Sequence, residues 1–245
     1  MRKQWSLMKE LFSGWTVFAH LIFYYLTNGA LLYVLTKDLK LSGIVAIPAA
    51  FLFLHSFSFI QKRIARRRLI IQEINKYATS LTFYLNSGHN VPNALKNTLP
   101  LIDPILQKDI QQTLDILSEE ARLDTTHFQK YNLSSLDLFH QTLLIKYEKG
   151  GNAKEMFMKP FKGIQFEISE IDDLIRKKAL TAQQIYVMQL FSVGIAGGLA
   201  FLPGDIYKNF LTLSFSIYIV LGFYVCLLFN IYRLQEDRAD MALRL

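Results

Sequence analysis

The sequence predicts an all-α integral membrane protein with four transmembrane helices and a cytoplasmic helical bundle. Three observations lead there. The composition is 51% hydrophobic with a mean hydropathy of +0.21, more apolar than an ordinary soluble domain. The apolar residues gather in four blocks, each approaching the ~20 residues a helix needs to cross hydrocarbon. Between the second and third blocks lies a polar stretch whose apolar residues recur at helical spacing. The chain accordingly divides into 1–60 with two spans, 61–183 as a helical domain, and 184–245 with two spans and a short tail.

The blocks are Trp15 to Leu35, Leu41 to Ile60, Ile185 to Leu202 and Leu211 to Ile231. None contains Asp, Glu, Lys or Arg, as the cost of charge in lipid demands. The first is too long, and lacks the small-residue cleavage site, to be a removable signal peptide. Arg2, Lys3 and Lys9 precede the first block, Lys62, Arg63 and Arg66 to Arg68 follow the second, and Arg176 to Lys178 precede the third. This excess of basic residues places both termini and the middle domain inside the cell. The lone cysteine, Cys226, excludes an intramolecular disulfide.

Within 61–183, Ile74, Ala78, Leu81 and Leu85 line one face of a helix that Gly88 closes. Asn90 caps the next helix, with Pro92 in its first turn. Asp103 and Pro104 start another, which carries Leu106, Ile110, Leu114 and Leu117. Ser134 and Asp137 read as a capping box for a helix with Leu136, Phe139 and Leu143 inward.

The stretch "YEKGGNAKEMF" then breaks the helical pattern and restarts it. Gly150 and Gly151 reverse the chain, Asn152 caps the following helix, and Glu155 reaches back to the cap amide. Phe157, Phe161, Ile164, Ile168, Ile171 and Ile175 then form a near-heptad stripe suited to another long helix, in this chain or in a partner. A weak echo relates "SGHNVPNAL" to "KGGNAKEMF".

Several chemistries are excluded. A P-loop needs a Lys-Ser/Thr pair after its second glycine and a preceding strand, and "EKGGNAKEMF" has neither. Asp205, in "LPGDIYK", lacks the second carboxylate of an intramembrane aspartyl peptidase and reads as a turn residue. His20, His55, His89, His127 and His140 show no metal-site spacing. No cofactor is expected. Residues 61–183 hold 18 Lys+Arg against 14 Asp+Glu, a small excess clustered beside the spans, which argues for lipid contact and against nucleic acid. Asn28 is placed to hydrogen-bond a neighbouring span, and "GIAGG" at 194–198 offers small residues for close helix contact.

The order of these features resembles the type II secretion F-domain family, specifically the Tad-type pilus assembly proteins of the bacterial inner membrane. "NSGHNVPNAL", with Gly88, Ala94 and Leu95, and "KYEKGGNAKEMF" through "IRKKALTAQ", with Gly150, Gly151 and Asn152, carry the resemblance. "LDTTHFQKYNLSSLDLF" departs from the pattern by lacking the Gly and Ala-Leu of a similar hairpin. The resemblance implies a non-catalytic platform protein, a single-domain member acted on by a cytoplasmic ATPase and passing motion to pilin subunits. It implies a second subunit, a sibling or another copy, to complete the platform. On that reading Arg66, Arg67 and Arg68, with the stripe Phe157, Phe161, Ile164, Ile168 and Ile171, are the candidate docking residues. A small transporter or permease subunit is the alternative.

Overall fold

A computed structural model describes residues 14–201 and 206–244. Among them every regular element is helical and no strand occurs. The short connection around Asp38 shows how the sequence sets its first boundary. Lys37 adopts a left-handed conformation (φ 56°) and its amide donates to the Tyr33 carbonyl at 2.9 Å, closing α1, Gly14–Thr36. Asp38 accepts from the amides of Lys40 and Leu41 at 2.9 and 3.1 Å and opens α2, Leu39–Phe53.

α2 does not simply end. It passes through a π-helical turn, Leu54–Phe59, where the Ile60 amide reaches back five residues to the His55 carbonyl, and continues as α3, Ile60–Asn86. The chain then forms α4 (Val91–Thr98), α5 (Pro104–Glu120), a 3-10 turn (Thr126–Tyr131), α6 (Ser134–Lys149) and the long α7 (Ala153–Leu199). Pro160 stands inside α7 without ending it. The short α8 (Ile206–Leu211) and α9 (Ser216–Arg244) complete the order.

Among the described residues three helical runs are long and apolar enough to cross a membrane: Gly14–Thr36, Leu39–Asn86 and Ser216–Ala239. Two of the expected spans change. The third block forms the end of α7, whose charge-free stretch from Ala179 to Leu199 is long enough to cross, but Gln183, Gln184 and Gln189 lower its hydropathy and it is not one of the three. The fourth begins at Ser216, because Ser216 Oγ donates to the Leu211 and Leu213 carbonyls and marks a break before α9. Arg2, Lys3, Lys9 and the expected turn Pro203-Gly204-Asp205 lie outside the described residues.

Packing divides the chain into two compact units, one of residues up to 64 together with 177–240, the other built on 65–176. In the first, Leu32 of α1, Ala46 and Ala49 of α2 and Tyr224 of α9 form a small buried cluster. In the second, Ile74, Ala78, Leu81 and Leu85 of α3 meet Leu106, Ile110 and Leu117 of α5 and Leu136, Phe139 and Leu143 of α6 in one core. Phe157, Ile164 and Ile171 of α7 complete it. Within this unit α3 and α7 run antiparallel, since Arg68 meets Asp172 while Asn75 meets Gln165.

The two glycine reversals are built differently. At Gly88 (φ 90°) the His89 amide donates to the Tyr84 carbonyl and the Gly88 amide to that of Leu85, a Schellman closure, with the His89 and Tyr84 rings 5.6 Å apart. Asn90 then accepts from the Asn93 amide at 3.0 Å. At Gly150 the backbone lies at φ 76°, ψ −148°, a region essentially reserved for glycine and unlike the left-handed helical one. Gly151 follows at φ 110°. Asn152 caps α7 through the Lys154 amide at 3.1 Å, but Glu155 accepts from the Asn152 side-chain amide, not from the cap backbone.

The expected capping box at Ser134 and Asp137 does not form. α6 has no side-chain cap of its own. The Glu167 carboxylate of α7 accepts from the Ser134 and Ser135 amides, at 3.3 and 2.9 Å, and from the Ser135 hydroxyl. A carboxylate from outside the helix thus satisfies amides that a local cap would have taken.

Asparagine tolerates left-handed helical geometry but not the conformation of Gly150. Gly88→Asn is therefore expected to melt close to the parent in detergent, while Gly150→Asn and Gly150→Val each lose about 1–3 kcal/mol. Asn152→Ala is expected to cost about 0.5–2 kcal/mol. Equal tolerance at both glycines in thermal melts of the solubilised chain would contradict the distinction.

Candidate functional site

The basic row Arg66 to Arg68 opens the second unit, and its central member is committed internally. Arg67 Nη2 donates to the Tyr131 carbonyl at 2.6 Å. The Tyr131 hydroxyl donates to Asp109 Oδ2, and Lys130 Nζ donates to Asp109 Oδ1 at 2.5 Å. Asp109 is 4% exposed, so this is a buried carboxylate whose two oxygens are both engaged. His127 Nε2 lies 2.9 Å from the Asp109 carbonyl and 3.3 Å from Thr113 Oγ1, which fastens the 3-10 turn to α5 at a third point. Burial and the neighbouring carboxylate push the Tyr131 phenol well above its ordinary range, so it stays a donor.

This corrects the docking assignment of Arg67. Arg67 is a half-buried strut. Arg68 faces Asp172 at 3.8 Å, with both side chains about half exposed, a pairing worth roughly 0–1 kcal/mol. Arg66 is half-buried. The apolar stripe is corrected more strongly. Phe157, Ile164 and Ile171 are at most 2% exposed, and Phe161 and Ile168 pack against the same core. The stripe's partner is its own unit, and the large apolar side chains α7 turns outward there are Met158, Phe166 and Leu174. The glycine motifs sit at exposed reversals, where Lys146 Nζ occupies the Gly151 carbonyl.

The first unit carries a separate set of polar contacts. Tyr224 of α9 donates to Asn28 Oδ1 of α1 at 2.6 Å, the interhelical bond expected of Asn28. Tyr24 of α1 pairs with Ser58 of the π-helical turn at 3.1 Å. Gln61 donates to Gln235 Oε1 at 3.2 Å, and Gln235 donates to the Tyr186 hydroxyl of α7. Within the π-helical turn, His55 Nδ1 and Ser56 Oγ are buried and have no hydrogen-bond partner. Sequence reasoning passed over Tyr186, Tyr224 and Gln235. The available signal was that each sits within or beside an apolar block, where a lone polar group seeks a partner.

His140 is the other buried polar group of note. It is 3% exposed, its Nε2 lies 3.1 Å from the Tyr77 hydroxyl, and its Nδ1 has no partner. Burial pushes the imidazole down from 6.5 to about 3, with His127 adding to the effect. Among the described residues no three His, Cys, Asp or Glu side chains converge as metal ligands. No protein-family model, curated protein or solved structure matches the chain.

Removing Asp109 leaves the buried Tyr131 hydroxyl without its acceptor and frees the half-exposed Lys130 to water, so Asp109→Ala is expected to cost about 1–3 kcal/mol in melts of the solubilised chain. A loss under about 1 kcal/mol would show the carboxylate to be dispensable. His140 gives a pH signature. Above pH 6.5 it is neutral in folded and unfolded chains alike and adds no slope. From 6.5 down towards about 3 the unfolded chain binds a proton that the folded chain does not. Stability therefore falls as pH falls, by up to about 1.4 kcal/mol per unit. His140→Gln keeps a partner for Tyr77 and removes the titrating group. Its melting temperature between pH 6.5 and 4.5 is expected to fall less steeply, and an unchanged slope would assign the acid sensitivity elsewhere.

Proposed function

We propose that this chain is a non-catalytic platform protein of a bacterial inner-membrane pilus-assembly or secretion machine. It crosses the membrane four times, with both termini and the helical unit inside the cell. Its helical unit receives a cytoplasmic ATPase, and its spans guide pilin subunits leaving the membrane, with a sibling or a second copy completing the platform. The supporting observation is the order of parts along the chain. Two apolar helices precede a separately packed helical unit with a glycine reversal at Gly88 and another at Gly150–Gly151, and one uninterrupted helix, α7, leads from that unit into the last apolar region. The basic residues that flank this unit in the sequence support its cytoplasmic side.

One observation favours a second reading. The π-helical turn carrying His55 and Ser56, both with unpartnered buried polar atoms, is the kind of irregular intramembrane backbone that transporters use around a site. A permease subunit would be expected to show a substrate-dependent phenotype on changing these residues, whereas a platform would not.

Topology and partners separate the readings. Reporter fusions in the Lys37–Lys40 loop are expected to read as external and fusions after residue 245 as internal. Affinity purification in mild detergent is expected to retain a secretion-type ATPase or a sibling platform protein. An external C-terminus overturns the topology, and a chain that retains neither partner overturns the platform assignment.

A further inference from the structure

In the first unit an apolar slot of about 430 Å³ opens beside the end of α1. Leu35 of α1, Ser192 and Leu199 of α7, Tyr207 of α8, and Val220 and Phe223 of α9 line it. From Ser192 to Leu199 it follows α7 for about 10 Å. The two polar side chains of the lining have spent their protons. The Tyr207 hydroxyl donates to the Leu35 carbonyl, and Ser192 Oγ donates to the Met188 carbonyl of its own helix at 3.0 Å. A polar ligand would leave its bonds to water with no side-chain donor to replace them.

In a membrane, the medium beside this slot is hydrocarbon. Its helices α1 and α9 are apolar enough to cross, and Ile195, Leu199 and Ile219 around it are each about half exposed. The slot lies at one end of the apolar region: Leu35 stands one residue before the end of α1, Leu199 ends α7, and Val220 is in the first turns of α9. Tyr33 and Tyr218 stand within a turn of the same helix ends, where interfacial tyrosines gather. Basic charge marks this rim. Lys37 follows Leu35 by two residues, and its ammonium lies 5.1 Å from the centroid of the Phe201 ring, two residues past Leu199. That places a cation between the ends of α1 and α7, at the mouth of the slot. Lys208 adds a second beside Tyr207. The Asp38 carboxylate is committed to the Lys40 and Leu41 amides, so among the described residues the rim favours an anion.

We propose that the slot holds one acyl chain of an anionic phospholipid, with the phosphate against the Lys37 ammonium at the rim. The chain fills an apolar lining that asks for no hydrogen bond, and the lysines select the headgroup. The inference needs only a membrane around the apolar helices. It is independent of the platform reading, because a lipid binds here with or without a motor or a sibling subunit.

The test is native mass spectrometry of the full chain in mild detergent, with palmitoyl-oleoyl phosphatidylglycerol or the matching phosphatidylcholine added. One tightly retained phosphatidylglycerol per chain is expected, and weaker retention of phosphatidylcholine. Lys37→Gln, at an exposed position, is expected to weaken phosphatidylglycerol retention about fivefold, the scale of one lysine facing an anionic lipid, and to leave phosphatidylcholine unchanged. Ala196→Phe places a ring in the slot and is expected to abolish retention of both with the circular dichroism melt preserved. Val225→Phe, exposed on α9 outside the slot, is expected to bind as the parent does. Should Ala196→Phe unfold, Lys37→Gln decides alone. No retained lipid, equal retention of the two headgroups by the parent, or parental phosphatidylglycerol retention in Lys37→Gln or in folded Ala196→Phe overturns the proposal. A lipid-free dimer assigns the slot to a second copy and overturns it as well.

Discussion

The carboxylate of Asp109 occupies the interior of the helical unit, and much of that unit's detailed geometry depends on how it is satisfied. Burying one ion costs several kcal/mol unless its lone pairs are filled. Here Lys130 and the Tyr131 hydroxyl take its two oxygens, and both donors come from one short 3-10 turn. The requirement therefore fixes the turn against α5. With the turn held, Phe128 stacks on Tyr77 at 5.7 Å and 15°, and the Tyr131 carbonyl becomes the acceptor for Arg67. A charge that would be a liability elsewhere thus organises the connection between two helices.

In the other unit the same demand is met in smaller increments. Hydrogen bonds between spans are individually worth about 0.6–2 kcal/mol, so Tyr224 with Asn28, Tyr24 with Ser58, and Gln235 with Gln61 and Tyr186 act as register marks more than as sources of stability. Each joins helices distant in sequence whose apolar surfaces alone discriminate weakly between one register and the next. The unpartnered atoms of His55 and Ser56 stand apart from this economy, and they fall where the helix departs from α geometry.

Periodicity was a sound guide wherever packing is one-sided. Ile74, Ala78, Leu81 and Leu85 declared a buried face, as did Leu136, Phe139 and Leu143, and each lies in the core. Caps made by a residue on its own helix, such as Asn90 and Asp103, were legible for the same reason: cause and effect are neighbours in the chain. Features with remote causes were not. Arg67 looks like a surface cation until the Tyr131 carbonyl is placed beside it. The stripe of α7 reads equally well as a core face or as a partner face, because a helix pattern states that a surface is apolar and not what covers it. The π-helical turn leaves no mark in "LHSFSF", where the extra residue is absorbed without glycine or proline.

The trans cap on α6 carries a further implication. Its first turn is completed by Glu167, which lies 33 residues beyond Ser134. A helix with a local cap can flicker into existence as soon as it is synthesised, whereas this one has its starting signal stored on a later segment. The start of α6 is in effect a long-range contact, with the loop-closure delay that such contacts impose. That later segment is α7, the same continuous helix that carries the chain on towards its last apolar stretch. During synthesis, then, the start of α6 has no finished state until the ribosome has moved well into α7, the helix that follows it.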